Sequence, residues 1–380
     1  MKPARAPLKP APSGHHPRAI GVMIVDDSLT VRTILKRMVE SDPALQVTAT
    51  ASSAETALAQ LGQGAPDVVL LDLDMPGMGG LEALPVILGL APHAQVLVVS
   101  ALTDEGAEAT VRALAMGAAD TMLKPRPGEF TEHYRTNLLD RIRALGLRDA
   151  SAARPTPTRR PMQQPAATAT NPPPPQPATL RRTGPRPEVI AIGASTGGIH
   201  ALGQLLGQLG PAMSAPILIT QHLPASFMAV FARQIESACA RPTMLAREGL
   251  LLAPGSIVIA SGAGHLVVRS HGEALVCGIS TAPAASGCWP SVDPMLVSLA
   301  QTCGARAVAV ILSGMGSDGL IGARALAAAG GTIMAQDADS SAVWGMPGVV
   351  TRAGLASLVA PPEAIGQAIM TCAAPARALS

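Results

Sequence analysis

Residues 188–198 read Glu-Val-Ile-Ala-Ile-Gly-Ala-Ser-Thr-Gly-Gly, and the fold is decided there. The run Glu188–Ala194 is apolar and of strand length, and it passes directly into a glycine-rich turn followed by a helical pattern. A short continuous apolar run of this kind fits a parallel strand buried on both faces. The glycines permit a tight turn and leave backbone N–H groups exposed at a helix N-terminus. Ser195 is thereby placed near a positive dipole end that could stabilise an oxyanion. A glycine-rich strand–helix turn also binds phosphates or dinucleotides, but that use wants an acidic residue at the end of the next strand. The next run, Pro216–Gln221, ends instead in Gln221-His222-Leu223-Pro224. A histidine there suits a general base, although alone it reads more readily as a capped turn imidazole.

Two further strands extend the pattern, Ser256–Ala260 and Arg306–Ser313. The second opens into Gly314-Met315-Gly316-Ser317-Asp318-Gly319. Asp318 could hold the His222 tautomer and stabilise its imidazolium. It also reads as the N-cap of a helix over Leu320–Ala329, and the two roles are compatible. Three strand ends thus offer a hydroxyl, an imidazole and a carboxylate to one crevice. The chain order Ser, His, Asp differs from that of the common hydrolases, but a triad is defined by geometry.

The first third of the chain repeats the α/β alternation. Ala19–Val25, Val47–Ala51, Asp67–Leu71, Gln95–Ser100 and Ala118–Leu123 read as strands, with helices at Leu29–Glu40 and Ala54–Gln60 between them. Five β/α units make a doubly wound parallel sheet. Asp26 and Asp27 follow the first strand, Asp72 ends the third, Ser100 the fourth and Lys124 the fifth. Crowded carboxylates at one sheet edge repel unless a cation joins them, and oxygen ligands with open positions suit Mg²⁺. Mg²⁺ with the Lys124 ammonium would neutralise a phosphoryl group arriving on Asp72, and Ser100 could hydrogen-bond one of its oxygens. Singly, these residues read as turn and cap positions. Five in chain order at strand ends read as a phosphoryl-accepting switch.

Composition is consistent with two such domains. The 380 residues are 48% hydrophobic and only 2% aromatic, so the cores must be built from aliphatic side chains in sheet–helix layers. Residues 150–187 hold eleven prolines and no acidic residue, and read as a stiff cationic linker. Residues 1–18 are basic and Pro-rich, with no apolar segment of the kind a secretory signal carries. No apolar run is long enough to span a bilayer. Five scattered cysteines without paired spacing argue against disulfides or a zinc motif and for reduced thiols in the cytoplasm. A net charge of +2 is too balanced for nucleic acid to be the main partner.

The front motifs, Asp26-Asp27, Leu71–Met78, Ser100-Ala101 and Lys124-Pro125, resemble the response-regulator receiver domain. The resemblance implies a flavodoxin-like fold with Asp72 as phosphoacceptor. It also implies a Mg²⁺ site formed by Asp26, Asp27, Asp72 and the Asp74 carbonyl, with Ser100 and Lys124 as switch residues. Gly79 stands where the family commonly has Asp, and Thr121 where it usually has an aromatic. The rear motifs are AIGASTGG (191–198), TQHLP (220–224), PSVD (290–293), ILSGMGSDG (311–319), Gln336-Asp337 and Gly345-Met346-Pro347. Together they resemble the catalytic domain of the CheB family of chemotaxis protein-glutamate methylesterases.

That resemblance implies a Rossmann-like three-layer domain with Ser195 as nucleophile, His222 as base and Asp318 as orienter, and with Met315 in the oxyanion-binding loop. It implies a phosphorylation-activated hydrolase that removes methyl groups from glutamyl γ-methyl esters of chemoreceptors and deamidates glutamine. The phosphodonor would be a chemotaxis histidine kinase. Mg²⁺ would serve the receiver, with no cofactor for ester hydrolysis and no membrane insertion. The domains expected are a receiver over 19–140 and a catalytic domain over 188–372. Ser317, Ser261–His265 and Trp289 depart from the family's usual residues. Two other classes are a phosphorylation-dependent adaptor, against which the intact Ser195, His222 and Asp318 argue, and a DNA-binding regulator. The latter would need a helix-turn-helix, whereas residues 188–368 alternate strands with glycine-rich loops.

Overall fold

The structure, a computed structural model, describes residues 18–62, 64–100, 103–125, 130–147, 186–210 and 213–373. The leader and the Pro-rich linker expected from the sequence lie almost wholly outside these residues.

The first sheet has the order β2-β1-β3-β4-β5, with every pairing parallel. Its strands are β1 (Ile20–Val25), β2 (Leu45–Ala51), β3 (Val68–Leu71), β4 (Gln95–Ser100) and β5 (Asp120–Leu123). β1 and β3 are buried along their whole length, while the edge strand β2 alternates between buried and exposed positions. Five helices connect the strands: α1 (Leu29–Glu40), α2 (Ala54–Leu61), α3 (Gly80–Leu90), α4 (Asp104–Ala115) and α5 (Glu132–Gly146). Ser28, Ser53, Thr103 and Thr131 cap α1, α2, α4 and α5, each accepting a first-turn N–H. This is the sequence signal that starts those helices. It also gives the first cap to Ser28 and leaves the Asp27 side chain for other work.

The second sheet has the order β14-β13-β12-β6-β7-β9-β8, also parallel throughout. Its central strand is β6 (Val189–Ala194), flanked by β7 (Ile217–Gln221) on one side and β12 (Ala307–Ile311) on the other. Further out lie β8 (Thr243–Leu245), β9 (Ile257–Ile259), β13 (Thr332–Gln336) and β14 (Leu358–Ala360). Its helices are α6 (Gly198–Leu206), α7 (Ala225–Cys239), α8 (Val292–Thr302), α9 (Leu320–Ala328), α10 (Met346–Arg352) and α11 (Pro362–Ala373). Strand order reverses at β6, and ligand crevices of open α/β sheets form at such a point. The strands β8, β13 and β14 had no counterpart in the sequence reading, nor did an antiparallel hairpin of β10 (His265–His271) and β11 (Ala274–Ser280). Gly272, at φ +62°, makes its two-residue turn, the left-handed conformation tight hairpins need.

The two domains touch through α4, which packs on α6 and α7, and through the start of β5. Among the described residues no helix is long and apolar enough to cross a membrane.

Candidate active site and receiver pocket

β6 and β7 pair in the register Gly193↔Thr220 and Ala194↔Gln221, and the His222 amide continues the ladder to the Ala194 carbonyl at 3.0 Å. Ser195 and His222 therefore leave adjacent strands side by side. On the other flank the Ser195 amide donates to the Ser313 carbonyl at 3.0 Å, which fixes the turn against the loop after β12. The Ser195 carbonyl accepts from the Gly198 amide and from Gln221 Nε2 at 2.9 Å. Gly314 approaches so closely that a Cβ there would lie 2.7 Å from Ser195 Cβ, so only glycine fits. The Ser195 position is clamped from three sides.

Asp318, 1% exposed, reaches the same crevice from the loop before α9. Its Oδ2 meets His222 Nε2 at 2.8 Å and accepts the Val292 amide at 2.7 Å; its Oδ1 accepts the Ser291 hydroxyl at 2.6 Å. Despite burial, the bonds from His222, Ser291 and Val292 hold its carboxyl well below the usual carboxylate range. Burial alone would push His222 down, but its bonding to Asp318 and to the Cys288 thiol outweighs this and lifts it to about 9. Nearby, burial pushes Asp293 up to about 6. Among the described residues the Ser195 hydroxyl makes no hydrogen bond. Serine and histidine are thus placed as neighbours but not joined, as is common before substrate binds. Met315 is 40% exposed beside this crevice. Its amide and that of Thr196 have no hydrogen-bond partner among the described residues.

Four residues of the site had no role in the sequence reading. Ser291 lies in the PSVD segment, and its cap-like Ser-x-Asp pattern was the available signal. Cys288, three residues earlier, carried no signal, because its partner is 66 positions away. Gln221, next to His222, clamps the serine turn. His265 starts the unforeseen hairpin; it is fully buried, accepts the Ser291 amide on Nδ1, and meets the Trp289 ring edge-on at 4.6 Å.

In the first domain the structure gathers Asp26, Asp27 and Asp72, with carboxylate oxygens all within 4.8 Å of one another. Lys124 Nζ lies 2.8 Å from Asp26 and 2.7 Å from Asp72. Burial raises the Asp72 carboxyl, although Lys124 opposes it. The Asp74 amide donates to Asp72 Oδ1 at 3.3 Å, which places Asp74 at the pocket's edge. Ser100 is not turned to Asp72: its hydroxyl pairs with Thr110 on α4 at 2.6 Å, both fully buried. A buried hydroxyl needs a hydrogen-bond partner, and Thr110 supplies it. Gly79 caps α3 without a side-chain bond, and Thr121 Oγ1 is buried without a partner.

The receiver-like domain reaches the serine turn itself. The Thr196 hydroxyl donates to Asp120 Oδ2 at 2.6 Å, and Asp120 in turn pairs with Arg141. The Gly197 amide donates to the Ala119 carbonyl, and His200 Nδ1 meets the Ala115 carbonyl at 3.0 Å.

Comparison with known proteins matches this architecture. The CheB methylesterase family model matches residues 190–369, and the response regulator receiver domain model matches residues 22–135. The protein-glutamate methylesterase/protein-glutamine glutaminase 1 of Paramagnetospirillum magneticum is 41% identical over 368 residues, 94% of this chain and 97% of its own. The protein of the same activity name from Azospirillum brasilense is 40% identical, covering 95% of each chain. The solved catalytic domain of Thermotoga maritima CheB methylesterase is 31% identical, with a TM-score of 0.48 over 49% of this chain and 98% of that one. The chain belongs to the CheB methylesterase family, with a response regulator receiver domain ahead of its methylesterase domain.

Proposed function

We propose that this protein is a phosphorylation-activated protein-glutamate methylesterase and protein-glutamine glutaminase of chemotaxis adaptation. Its receiver spans 19–140 and its catalytic domain 188–372. The observation that carries the reading is the His222–Asp318 bond at the end of β7, beside Ser195 at the end of β6. Ser195 Oγ attacks the γ-carbonyl of a glutamyl methyl ester while His222 takes its proton. Asp318 holds the ring and stabilises the imidazolium. The free Thr196 and Met315 amides are the donors for the oxyanion. Methanol departs with the proton from His222. Water, activated by the same imidazole, then hydrolyses the acyl-enzyme and restores glutamate. A glutamine substrate follows the same steps with ammonia as leaving group. The substrates are cytoplasmic segments of chemoreceptors, and a chemotaxis histidine kinase supplies the phosphoryl group.

The receiver pocket fits a Mg²⁺ ion: three carboxylates converge, offering hard oxygen ligands within 4.8 Å of one another. Asp26, Asp27, Asp72 and the Asp74 carbonyl would hold it. When bound, it would offset negative charge on an incoming phosphoryl group. Lys124 neutralises the other side, and Asp72 accepts the phosphoryl.

Regulation follows from the interface. The start of β5 rests on the turn that carries the nucleophile and occupies the Gly197 amide and the Thr196 hydroxyl. Phosphorylation replaces the single charge of the Asp72 carboxylate with about 1.5 to 2 negative charges on the phosphoryl oxygens, a net gain of about 0.5 to 1. Ser100 then leaves Thr110 for a phosphoryl oxygen, α4 is released from that bond, and its packing on α6 and α7 loosens. The test is hydrolysis by Asp72→Asn: activity that still responds to a phosphodonor would remove the switch from the proposal.

A further inference from the structure

The catalytic crevice contains a thiol that the hydrolysis does not use. Cys288 is half-buried, and its Sγ, a His222 ring nitrogen and an Asp318 carboxylate oxygen all lie within 4.8 Å of one another. We propose that His222, Cys288 and Asp318 form an inhibitory site for a soft divalent cation of the zinc class; this rests on the reading of His222 as general base.

The donor set is one imidazole, one thiolate and one carboxylate. Zn²⁺ takes such mixed sets tetrahedrally, with three protein ligands leaving a fourth position for water. Ligand atoms around tetrahedral zinc stand about 3.3–3.7 Å apart. Closing the observed triangle needs a contraction of at most about 1.5 Å, and a metal taken by Nε2 must also spread the 2.8 Å His222–Asp318 pair by about 0.5–1 Å. Outer partners, which usually orient metal ligands, are already in place. The Asp318 carboxylate is held by the Ser291 hydroxyl and the Val292 amide, and the His222 backbone by the Ala194 carbonyl. The site can be reached, since the His222 side chain is 16% exposed. The receiver pocket, built of carboxylates alone, suits hard Mg²⁺ instead. The two sites of one chain are thus sorted by ligand softness.

The inhibitory consequence does not depend on which ring nitrogen binds. A neutral imidazole has one lone pair to give. Given to a metal, it is no longer available for the Ser195 proton. Binding releases the thiol proton and the imidazolium proton to solvent, and a chelator that removes the metal restores the base.

The test is titration of the full-length protein with Co²⁺ and with Zn²⁺ alone. Cobalt bound by a thiolate gives a sulfur-to-metal charge-transfer absorption that carboxylates cannot produce, so the receiver pocket stays silent. Zinc affinity is read by competition with a chromophoric chelator. The expected result is a thiolate band at one Co²⁺ per chain, lost in Cys288→Ser. Loss of an outer partner alone weakens metal binding by about 10–100-fold. Zinc affinity should therefore fall more than ~100-fold in Cys288→Ser and in His222→Gln, while zinc inhibition of the wild type is reversed by chelator. No thiolate band, or a band and affinity unchanged in Cys288→Ser, overturns the proposal. Because binding is read optically, this result is separate from whether the protein hydrolyses methyl esters.

Discussion

Asp120→Ala should unlock the enzyme without phosphorylation. Asp120 Oδ2 accepts the Thr196 hydroxyl at 2.6 Å, and the two residues are 8% and 7% exposed. Solvent therefore screens this bond little. A hydrogen bond to a charged acceptor contributes about 1.5–3 kcal/mol. Removing that bias from the docked state multiplies the open-to-docked ratio by about 10–150-fold. Basal methanol release should rise by that factor, up to the phosphorylated rate as a ceiling. Asp120 also pairs with Arg141 within the receiver, so Thr196→Val supplies a second approach that leaves this pair intact. Because Thr196 adjoins the nucleophile, each variant's basal rate is compared with its own rate under acetyl phosphate. In a double-mutant cycle the pair should raise the basal-to-stimulated ratio no further than either single variant does. If that ratio is unchanged in both single variants, the Thr196–Asp120 bond does not hold the enzyme shut.

Further outcomes follow from the crevice. His222 is held up near 9 in the docked state, so only ~1% is neutral at pH 7 and basal kcat/KM should rise about tenfold per unit from pH 7 towards 9. The same elevation contributes stability that is complete below the ordinary histidine value and lost as pH rises through about 9. Cys288→Ala should move the activity limb to lower pH, since the thiol is one of the groups lifting His222. Asp318→Asn should reduce kcat by about 10³–10⁴-fold with little change in KM, because the ring loses its tautomer partner. Its carboxylate's stability contribution is present above the ordinary aspartate value and lost as pH falls below it, which acid unfolding of wild type against Asp318→Asn measures. Gly314→Ala should leave a folded but inactive enzyme, since the new Cβ would displace Ser195.

Much of this was legible because it is local. The β6 strand and its turn are contiguous, and a buried parallel strand needs an unbroken apolar run, so residues 189–194 announce themselves. The helix α1 has the bounds its periodicity indicated, with Ser28 as its start signal. Most strand ends shifted inward by one or two residues, as at β5, where Ala118 and Ala119 are buried but precede the ladder, whereas β2 begins two residues earlier, at Leu45. What the sequence could not display was long-range pairing. The hairpin β10–β11 has a modest apolar pattern and a Gly-Glu turn, and it is β10 that packs on α8, where the Val268 amide donates to the Ser298 hydroxyl. Cys288 looked idle because only the fold brings it to His222. Ser100 looked ready for a phosphoryl oxygen, but its partner Thr110 lies one helical element away and cannot be inferred from either residue alone. The docking of β5 on the serine turn is likewise a tertiary fact, with Asp120 and Thr196 separated by 76 positions.

The measurement that tests the central claim most directly is methanol release from methylated chemoreceptor membranes. It compares the full-length protein with and without acetyl phosphate and Mg²⁺, beside Ser195→Ala and Asp72→Asn. Release that rises with the phosphodonor in wild type, is absent in Ser195→Ala and does not respond in Asp72→Asn is the expected result. No release from the folded wild type on a cognate receptor, in either condition, would contradict the esterase reading and favour a phosphorylation-dependent adaptor.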